Sequence, residues 1–564
     1  MKYERLPQVT LFALNETGRA ESTIPVLKQR SYTGKIPVIT SALADARCID
    51  LGMDRILEIL NTTLGTSYTL DDHDSILQSV FQSFIARDYD FGILYANVRP
   101  YWYDLTFIER ISELWMKDQE RRQDCLTDNG ISPYFPCRHV WDLCANRVVP
   151  YWVTHCWLPD PISHSWMAKE DRFDLWTPIN YYEWPVPIPK DADLNLIRIE
   201  MLNHTVEYAW LDVLCLRQEG GEREDLRTEE WKVDVPTIGS LYCLSSFRSV
   251  VYYLSGLGRP LSLKPGDLEN ERNWFNRAWT LQETSERPII GGSTDVDLIT
   301  DNDVKAKLRE KLRSVERTRE AGMFYFLWQM QIRKSTKPLD KVAGLAYLLC
   351  GLFSGSIPVY DETQSQEDAW DVLVDAMESS HKLELLFFYP EPGNGPQRWR
   401  PSWKQVMERR ILYWDGCRPH SQQDSIRKLE TGDFLYEGPC IESGFVSGLA
   451  HGSYEGGKRR RGGLAIKHGG PTEAPYVSDV FAHHAFPIPD GWYTLIGLTF
   501  FTDSNGLGWE WRFSELECWV VGWRRWDGRF EKLSVINMAA RYRVRWQNCA
   551  EFCGVVPLGQ VFLC

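Results

Sequence analysis

The strongest constraint on the fold is an alternation of short apolar runs with polar or helical stretches between residues 136 and 300. The runs have strand length and are rich in β-branched and aromatic residues. They are ISHSW (Ile162–Trp166), VEYAWLDVL (Val206–Leu214), SVVYYLSGLG (Ser249–Gly258) and RPIIGG (Arg287–Gly292). Strands that alternate with helices pair in parallel through crossovers, so we predict an α/β domain with a mainly parallel sheet and flanking helices. Ligands of such sheets bind at the carboxyl ends of the strands.

The sequence on either side of this alternation has other periodicities. Residues 1–135 carry helical patterns, one of which places Ile76, Val80 and Phe84 on a single face. Strand-like runs recur after residue 430 as GWYTLIGLTFF, ELECWVVGWRRW and AARYRVRW. We therefore predict a helical N-terminal region (1–135), an α/β domain (136–300), a second helical region (301–425) and a β-rich C-terminal module (426–564).

The charge balance argues against nucleic acid as a partner. The net charge is −14, whereas binding to a phosphate backbone requires a positive face. One basic run, Lys458–Arg461, lies between glycines. We predict that it is a solvated loop, with a targeting signal or a phosphate contact as the alternatives.

The cysteines do not have the spacing of a metal site. Among 14 Cys there is no CxxC; Cys137 and Cys144 flank His139, and Cys549 and Cys553 are four apart, but no second pair follows either. We therefore expect no bound metal. The first residues, MKYERLPQ, are charged and no apolar stretch follows them, so we expect a cytoplasmic protein with reduced thiols.

The longest uncharged stretch, Val342–Tyr360, is near the length that spans a bilayer. Gly and Ser interrupt its second half, and Pro358 ends it. We predict a buried helix followed by a loop, and no membrane partner.

A second informative stretch is RAWTLQE (Arg277–Glu283), which lies in a segment with a helical pattern. On a helix, Trp279 and Glu283 share a face, one turn beyond Phe275. A carboxylate next to two aromatic rings suits the edge of a cleft, because a buried carboxylate must be paired or protonated. The alternative is that Trp279 packs in the core while Glu283 forms an ion pair with Arg277 or Arg287.

Polar residues also follow the predicted strands. Asp212 lies within or at the end of one strand, where it either caps the next turn or lines a site. Ser165, His164 and Asp212 could form a hydrolytic triad, but adjacent residues of a strand point to opposite faces and no GxSxG is present. Neither GxGxxG nor GxxxxGK[ST] occurs, so nucleotide binding of the Rossmann or P-loop type has no support.

Three ordered blocks resemble the signature of the fungal heterokaryon-incompatibility (HET) domain over roughly residues 139–300. The first is ISHSW. In the second, AWLDVLCLRQ, the matching residues are Trp210, Asp212, Cys215 and Gln218; in the third, RAWTLQE, they are Arg277, Trp279, Thr280, Gln282 and Glu283. His164 and Arg217 stand where the family often has Tyr and Asn. DKVAGLAYLL and RPSW are similar to segments that follow the domain in large proteins of mushroom-forming fungi.

HET domains in turn resemble Toll/interleukin receptor (TIR) domains, which have a flavodoxin-like sheet. WTLQE is similar to the TIR motif whose Glu cleaves NAD at the nicotinamide–ribose bond in catalytic members. The resemblance implies that Glu283 is catalytic, that Ser165, Trp166, Asp212 and Trp279 contact the substrate, and that NAD is a substrate with no further cofactor. A carboxylate suits this chemistry because the transition state is oxocarbenium-like.

The family resemblance is compatible with two functions. One is an NAD-cleaving effector of non-self recognition and programmed cell death. The other is a non-catalytic module that self-associates and recruits protein partners. In either case, we expect the N- and C-terminal regions to restrain the central domain or to sense the trigger.

Overall fold

The computed structural model describes residues 3–70, 76–104, 111–127, 130–154, 157–243, 249–318, 322–351, 355–409, 424–451, 459–466, 476–498, 516–539 and 555–564. The chain forms two compact units. One comprises Met1–Glu320 and Ile332–Thr363, and the other comprises Ala321–Gln331 and Gln364–Cys564. The division of the sequence into four regions stays a prediction.

The N-terminal part of the first unit is mainly helical. Its elements are β1 (Val9–Phe12), α1 (Ala13–Thr17), β2 (Ser31–Gly34), α2 (Ser41–Ala44), α3 (Cys48–Leu64), α4 (Ile76–Ala86), α5 (Phe91–Val98), α6 (Ile111–Gln123), β3 (Leu126–Thr127) and β4 (Gly130–Ile131). The buried residues of α4 are Leu77 and Phe81, so the predicted face through Ile76, Val80 and Phe84 is wrong by one position. A run of apolar residues at adjacent positions leaves the choice of face to tertiary packing.

A mixed sheet forms the centre of the first unit. The elements of this part are β5 (His139–Asp142), β6 (Arg147–Pro150), β7 (Asp160–His164), β8 (Arg172–Leu175), β9 (Val186–Pro189), α7 (Leu194–Asn203), β10 (Tyr208–Leu211), α8 (Asp212–Cys215), α9 (Glu224–Asp234), α10 (Ile238–Cys243), β11 (Val250–Tyr253) and β12 (Pro288–Ile290). Six strands pair in the order β12-β11-β7-β10-β5-β6. Strands β12, β11, β7 and β10 are parallel to one another, whereas β5 pairs antiparallel with β10 and forms an antiparallel hairpin with β6 at one edge.

The central strands are short apolar runs, and nearly every position in them is buried in the folded chain. All four residues of β10 and of β11 are buried, as expected for a parallel strand that is covered on both faces. The register pairs Leu211 with Ile162 and Tyr253 with His164. Strands β7, β10 and β11 therefore end at the same edge of the sheet, and the residues that follow them are brought together there.

The segment around RAWTLQE is not the predicted helix. Between β11 and β12 the chain forms three 3-10 turns, Asp267–Glu269, Trp274–Asn276 and Trp279–Leu281. Arg277 has an extended backbone between the second and third turns (φ −92°, ψ 143°). The residues on either side of it bond to the backbone of Lys334, which holds this conformation. The amide of Ala278 donates to the carbonyl of Lys334 at 2.8 Å, and the amide of Lys334 donates to the carbonyl of Asn276 at 2.7 Å. Trp279 and Glu283 therefore do not share a helical face, and that prediction is wrong.

Buried charges join the N-terminal part to the sheet. The Arg99 guanidinium, from the turn after α5, is buried and pairs with Asp142 of β5 at 3.1 Å and with Glu207 at 3.0 Å. It also donates to the hydroxyl of Tyr208, which begins β10, at 2.8 Å. Breaking such a buried pair from one side leaves an uncompensated charge, so these contacts fix the position of the N-terminal helices.

The remaining chain contains further helices and then a β-rich region. Its elements are α11 (Asn302–Thr318), α12 (Met323–Ile332), α13 (Asp340–Ala346), α14 (Gln366–Ala376), α15 (Ser379–Phe388), α16 (Trp403–Glu408), β13 (Ser425–Lys428), β14 (Phe434–Ser447), β15 (Arg460–Ile466), β16 (Tyr476–Ala482), β17 (Gly491–Gly497), β18 (Leu516–Arg524), β19 (Phe530–Ala539) and β20 (Val555–Leu563). Strands β13 to β20 form one largely antiparallel sheet, in which β14 pairs with β15, β17 and β20. This confirms the predicted β-rich C-terminal region. Lys458, residues 499–501 and 540–546, Cys549 and Cys553 lie outside the described residues. Arg460 and Arg461 begin β15, and Arg460 is buried against backbone carbonyls, so the predicted solvated loop is wrong at these two residues.

The uncharged stretch Val342–Tyr360 lies mostly in α13 and the turn Tyr347–Gly351, whose residues are largely buried. In the part of the chain that the structure describes, no helix is long and apolar enough to cross a bilayer.

Candidate functional site

Polar side chains meet at the edge where β7, β10 and β11 end. Ser163 and His164 end β7, and Ser165 and Trp166 follow it; Asp212 directly follows β10. The crossover that leads from β11 to β12 contributes Glu283. This is the edge at which parallel α/β sheets bind ligands, and we call Ser163, His164, Trp166, Asp212, Arg277 and Glu283 the strand-end cluster.

Two neighbouring strands hold Glu283 at this edge. Ser163 of β7 and Tyr252 of β11 are paired in the sheet register. The Ser163 hydroxyl donates a short hydrogen bond to Oε2 of Glu283, and the Tyr252 hydroxyl donates to the backbone carbonyl of Glu283 at 3.0 Å. One rung of the sheet therefore fixes both the backbone and the carboxylate of Glu283.

The hydroxyl of Ser163 is oriented by Trp274. The indole Nε1 of Trp274 donates to Ser163 Oγ at 2.6 Å. Because that donation occupies a lone pair of the oxygen, the hydroxyl proton of Ser163 is directed to Glu283. Trp274 is completely buried, and its ring packs 4.7 Å from that of Tyr252. The hydrogen-bond chain from Trp274 through Ser163 to Glu283 is thus anchored in the core.

Glu283 has no cationic partner at ion-pair distance among the described residues, so neither Arg277 nor Arg287 neutralises it. Burial raises the pKa of Glu283 to about 7, and the negative charge of Asp212 raises it further. The hydrogen bond from Ser163 and the charges of Arg277 and His164 lower the pKa, but they do not cancel the effect of burial. Its other oxygen, Oε1, accepts no hydrogen bond from the described residues and is not sealed from solvent. Glu283 is therefore a desolvated carboxylate, one oxygen of which accepts no hydrogen bond from the described residues.

Asp212 is the second carboxylate of the strand-end cluster, and it is held in the ionised form. Its Oδ1 contacts His164 Nε2 at 2.8 Å and accepts the amide of Val213 at 2.8 Å, while Oδ2 accepts the indole N–H of Trp166 at 3.0 Å. Burial alone would raise the pKa of Asp212, but the charge and hydrogen bond of His164, together with the other donors, hold it below its ordinary value. The environments of Asp212 and Glu283 thus separate the pKa values of two neighbouring acids.

His164 lies between two hydrogen-bond acceptors. Its Nε2 contacts Asp212, and its Nδ1 lies 3.3 Å from the carbonyl oxygen of Ser165. A neutral imidazole donates through one nitrogen only, so the tautomer of His164 decides which of the two acceptors it bonds. The ring also stacks on Trp166, with centroids 5.7 Å apart. His164 therefore locks the Trp166 ring and the Asp212 carboxylate in place.

Two residues predicted to contact the substrate have their polar groups directed elsewhere. The hydroxyl of Ser165 donates to the carbonyl of Leu254, at the end of β11, at 2.8 Å. Ser165 thus links the ends of β7 and β11, and no serine–histidine–aspartate triad forms. Trp279 packs beside Tyr360, with ring centroids 6.3 Å apart, and its indole favours the ionised form of the Asp340 carboxylate. No hydrogen bond or ring contact in the described part of the chain joins Trp279 to Glu283, Asp212 or Trp166.

Gln282, next to Glu283, is an unsatisfied buried side chain. It is 4% exposed, and neither its amide nitrogen nor its amide oxygen finds a hydrogen-bond partner within the described residues. Such a group typically costs about 1–3 kcal/mol. Local departures from optimal stability of this kind are expected at functional sites.

Four residues at this edge have no functional role predicted from the sequence: Ser163, Trp274, Tyr252 and Arg277. The alternation of side chains along β7 predicts that Ser163 and His164 point to opposite faces of the sheet. The residues that each side chain contacts depend on the order of the strands, which the alternation does not give. The described residues contain no group of three or more His, Cys, Asp or Glu side chains placed to hold a metal ion.

Comparison of this chain with protein-family models, curated proteins and solved structures finds no match.

Proposed function

We propose that the chain is a HET-domain effector with a flavodoxin/TIR-like central sheet, which cleaves the nicotinamide–ribose bond of NAD in the cytoplasm. The topology supports this. Counted in chain order from β7, the four parallel strands lie in the order 2-1-3-4, which is the order of the corresponding flavodoxin-like strands. The order reverses between β7 and β11, and such a reversal is where these folds bind ligands.

The observation that carries the proposal is the Glu283 carboxylate, which has a raised pKa and, among the described residues, one oxygen that accepts no hydrogen bond and no cation in ion-pair contact. As the C–N bond breaks, its electron pair leaves with nicotinamide, and the ribose carbon becomes oxocarbenium-like. Ionised Glu283 stabilises that positive centre. Water then adds to the ribose carbon and releases one proton, which Glu283 can accept because its pKa lies near the working pH. The products are ADP-ribose, nicotinamide and a proton.

The test is nicotinamide release by the purified full chain, followed by chromatography. We expect Glu283→Gln to lower the rate on the order of 10²–10³-fold, the usual cost of one transition-state electrostatic contact. Glu286→Gln is the matched control, because Glu286 is exposed and three residues away; its rate should equal that of the wild type. Equal rates for Glu283→Gln and wild type, or no release by the wild type, would contradict the proposal.

The second candidate function is the non-catalytic interaction module. It is favoured by the large apolar side chains on and beside the hairpin of β8 and β9, where Phe173 is 40% exposed and Trp176 is 46% exposed. Neighbouring exposed aromatic residues are typical of interaction surfaces. If the wild-type chain releases no nicotinamide but self-associates in sedimentation experiments, and Phe173→Ser/Trp176→Ser abolishes the association, this function replaces the catalytic one.

A further inference from the structure

Two guanidinium groups lie against one half-buried indole. Arg172, at the start of β8, is 5.0 Å from the ring centroid of Trp166, and Arg277 is 5.7 Å from the same centroid. They come from different connections, since Arg172 lies between β7 and β10 and Arg277 between β11 and β12. The fold itself therefore assembles this arrangement, which we call the Arg172–Arg277 pair.

In the described part of the chain, no carboxylate lies at ion-pair distance from either guanidinium. Among the described residues, neither Arg172 nor Arg277 forms an ion pair or donates a side-chain hydrogen bond, and both are half-buried. Acidic residues outnumber basic ones 77 to 63 in this chain, so a lack of carboxylates does not explain it. A half-buried guanidinium without an ion-pair partner is stabilised when an anion binds to it. Two such groups on one indole therefore offer two contacts for an anionic ligand.

The surroundings restrict what such a ligand can be. Asp212 accepts the Trp166 N–H, so a carboxylate lies on one side of the ring and the guanidinium groups lie over it. Guanidinium forks match the oxygens of phosphate, and an indole offers a surface for a planar or sugar ring. Asp212 and Glu283 repel anions but accept hydrogen bonds from sugar hydroxyls. A ligand with a phosphate at one end and a hydroxylated ring at the other satisfies both parts.

We propose that the Arg172–Arg277 pair binds the phosphate groups of a nucleotide whose sugar reaches Asp212 and Glu283, so that the site selects phosphorylated ligands over neutral nucleosides. This rests on the proposed function, because it deepens the same site. It assigns substrate selection to two residues outside the reacting centre: they position the ligand, while Glu283 acts on it.

Binding is measured independently of turnover, by calorimetry and by tryptophan fluorescence on the full chain. The probes are inorganic pyrophosphate, ADP-ribose and, as the neutral control, adenosine. We expect wild type to bind ADP-ribose more tightly than pyrophosphate, and adenosine least. Arg172→Met/Arg277→Met should weaken binding of pyrophosphate and ADP-ribose about tenfold or more. Arg172→Lys/Arg277→Lys should retain part of it, because the charge remains.

Arg287→Met is the matched control, since Arg287 is exposed and lies close by in sequence; its affinities should equal those of the wild type. Circular dichroism verifies that each variant is folded. If wild type binds neither pyrophosphate nor ADP-ribose, or the double Met variant binds them equally well, the inference is overturned. Binding without nicotinamide release contradicts only the proposed function. Release by the double Met variant with unchanged KM for NAD contradicts only the inference.

Discussion

Glu283 is held where it is costly to ionise. An unfolded chain would release its proton near the ordinary pKa of glutamate, whereas burial raises the pKa in the folded protein to about 7. Between these two values the folded state binds more protons than the unfolded state, so stability falls as the pH rises through this window and stays lower above it. The loss is on the order of 3 kcal/mol if the full shift is realised. A carboxylate retained at such a cost is one that stability alone does not explain.

This pH dependence of stability predicts how Glu283→Gln changes the unfolding temperature. Glutamine has nearly the same shape and still accepts the hydroxyl of Ser163, but it never ionises. We expect the variant to unfold several degrees above the wild type at about pH 8, with the difference nearly absent at about pH 4.5, where the glutamate is neutral in the folded state. Calorimetric Tm values over this range provide the measurement. A Tm below that of the wild type at about pH 8 would show that the ionised carboxylate is structural.

At the scale of elements, the crossover between β11 and β12 determines where Glu283 lies. Thr280 holds its turns: the hydroxyl lies 2.5 Å from the carbonyl of Trp274 and 2.9 Å from that of Arg277, and it accepts a hydrogen bond from Arg333 at 2.8 Å. Arg333 also donates to the Arg277 carbonyl at 2.7 Å. The segment is therefore ordered by side chains and not by a helical hydrogen-bond ladder.

Thr280→Val tests this arrangement, because valine fills almost the same volume and removes only the hydroxyl. We expect a loss of about 1–3 kcal/mol in the free energy of unfolding, since buried groups lose their partner. Amide hydrogen exchange should become faster in residues 274–283, and Glu283 should lose its alignment, which lowers kcat. Thr294→Val is the control, because that exposed hydroxyl bonds only within its own loop. Unchanged exchange in residues 274–283 would show that Thr280 does not order the turns.

The same crossover shows how far the sequence predicts the fold. The strands of the central sheet follow from short runs such as Val250–Tyr253, whose side chains are all buried, and Asp212 was placed correctly at a strand end. The antiparallel hairpin of β5 and β6 was not predicted, because pairing at a sheet edge depends on tertiary contacts. The helical pattern around Trp279 also failed, because the backbone there bonds to Lys334, more than fifty residues away. Local periodicity carries no information about such a partner.

At the scale of the whole molecule, each compact unit contains a buried group that couples stability to pH, and the couplings of Glu283 and Lys532 have opposite signs. Lys532 of β19 is 1% exposed and donates to the carbonyls of Leu386 and Tyr389, at and just beyond the end of α15, at 2.7 and 2.6 Å. These carbonyls need donors because a helix leaves its last ones unbonded. Burial lowers the pKa of Lys532 to about 7. Above about pH 7 the unfolded state therefore binds more protons than the folded state, so the contribution of Lys532 to stability rises with pH. The contribution of Glu283 in the other unit falls at lower pH, as the pH approaches about 7.

Lys532→Met isolates this effect. Methionine keeps the length and apolar character of the stem but leaves the two carbonyls without their donor, which costs about 1–3 kcal/mol. At about pH 6 part of this cost is offset, because the variant no longer buries a group that prefers to be charged in water. At about pH 10 the wild type no longer carries that penalty, so the Tm deficit of the variant should be larger there. Lys428→Met, which removes an exposed ion pair with Asp375 in the same unit, should show a small and nearly constant deficit over the same interval. Equal deficits of Lys532→Met at both pH values would mean that Lys532 keeps its proton throughout, and that the unit gains no stability from alkaline conditions.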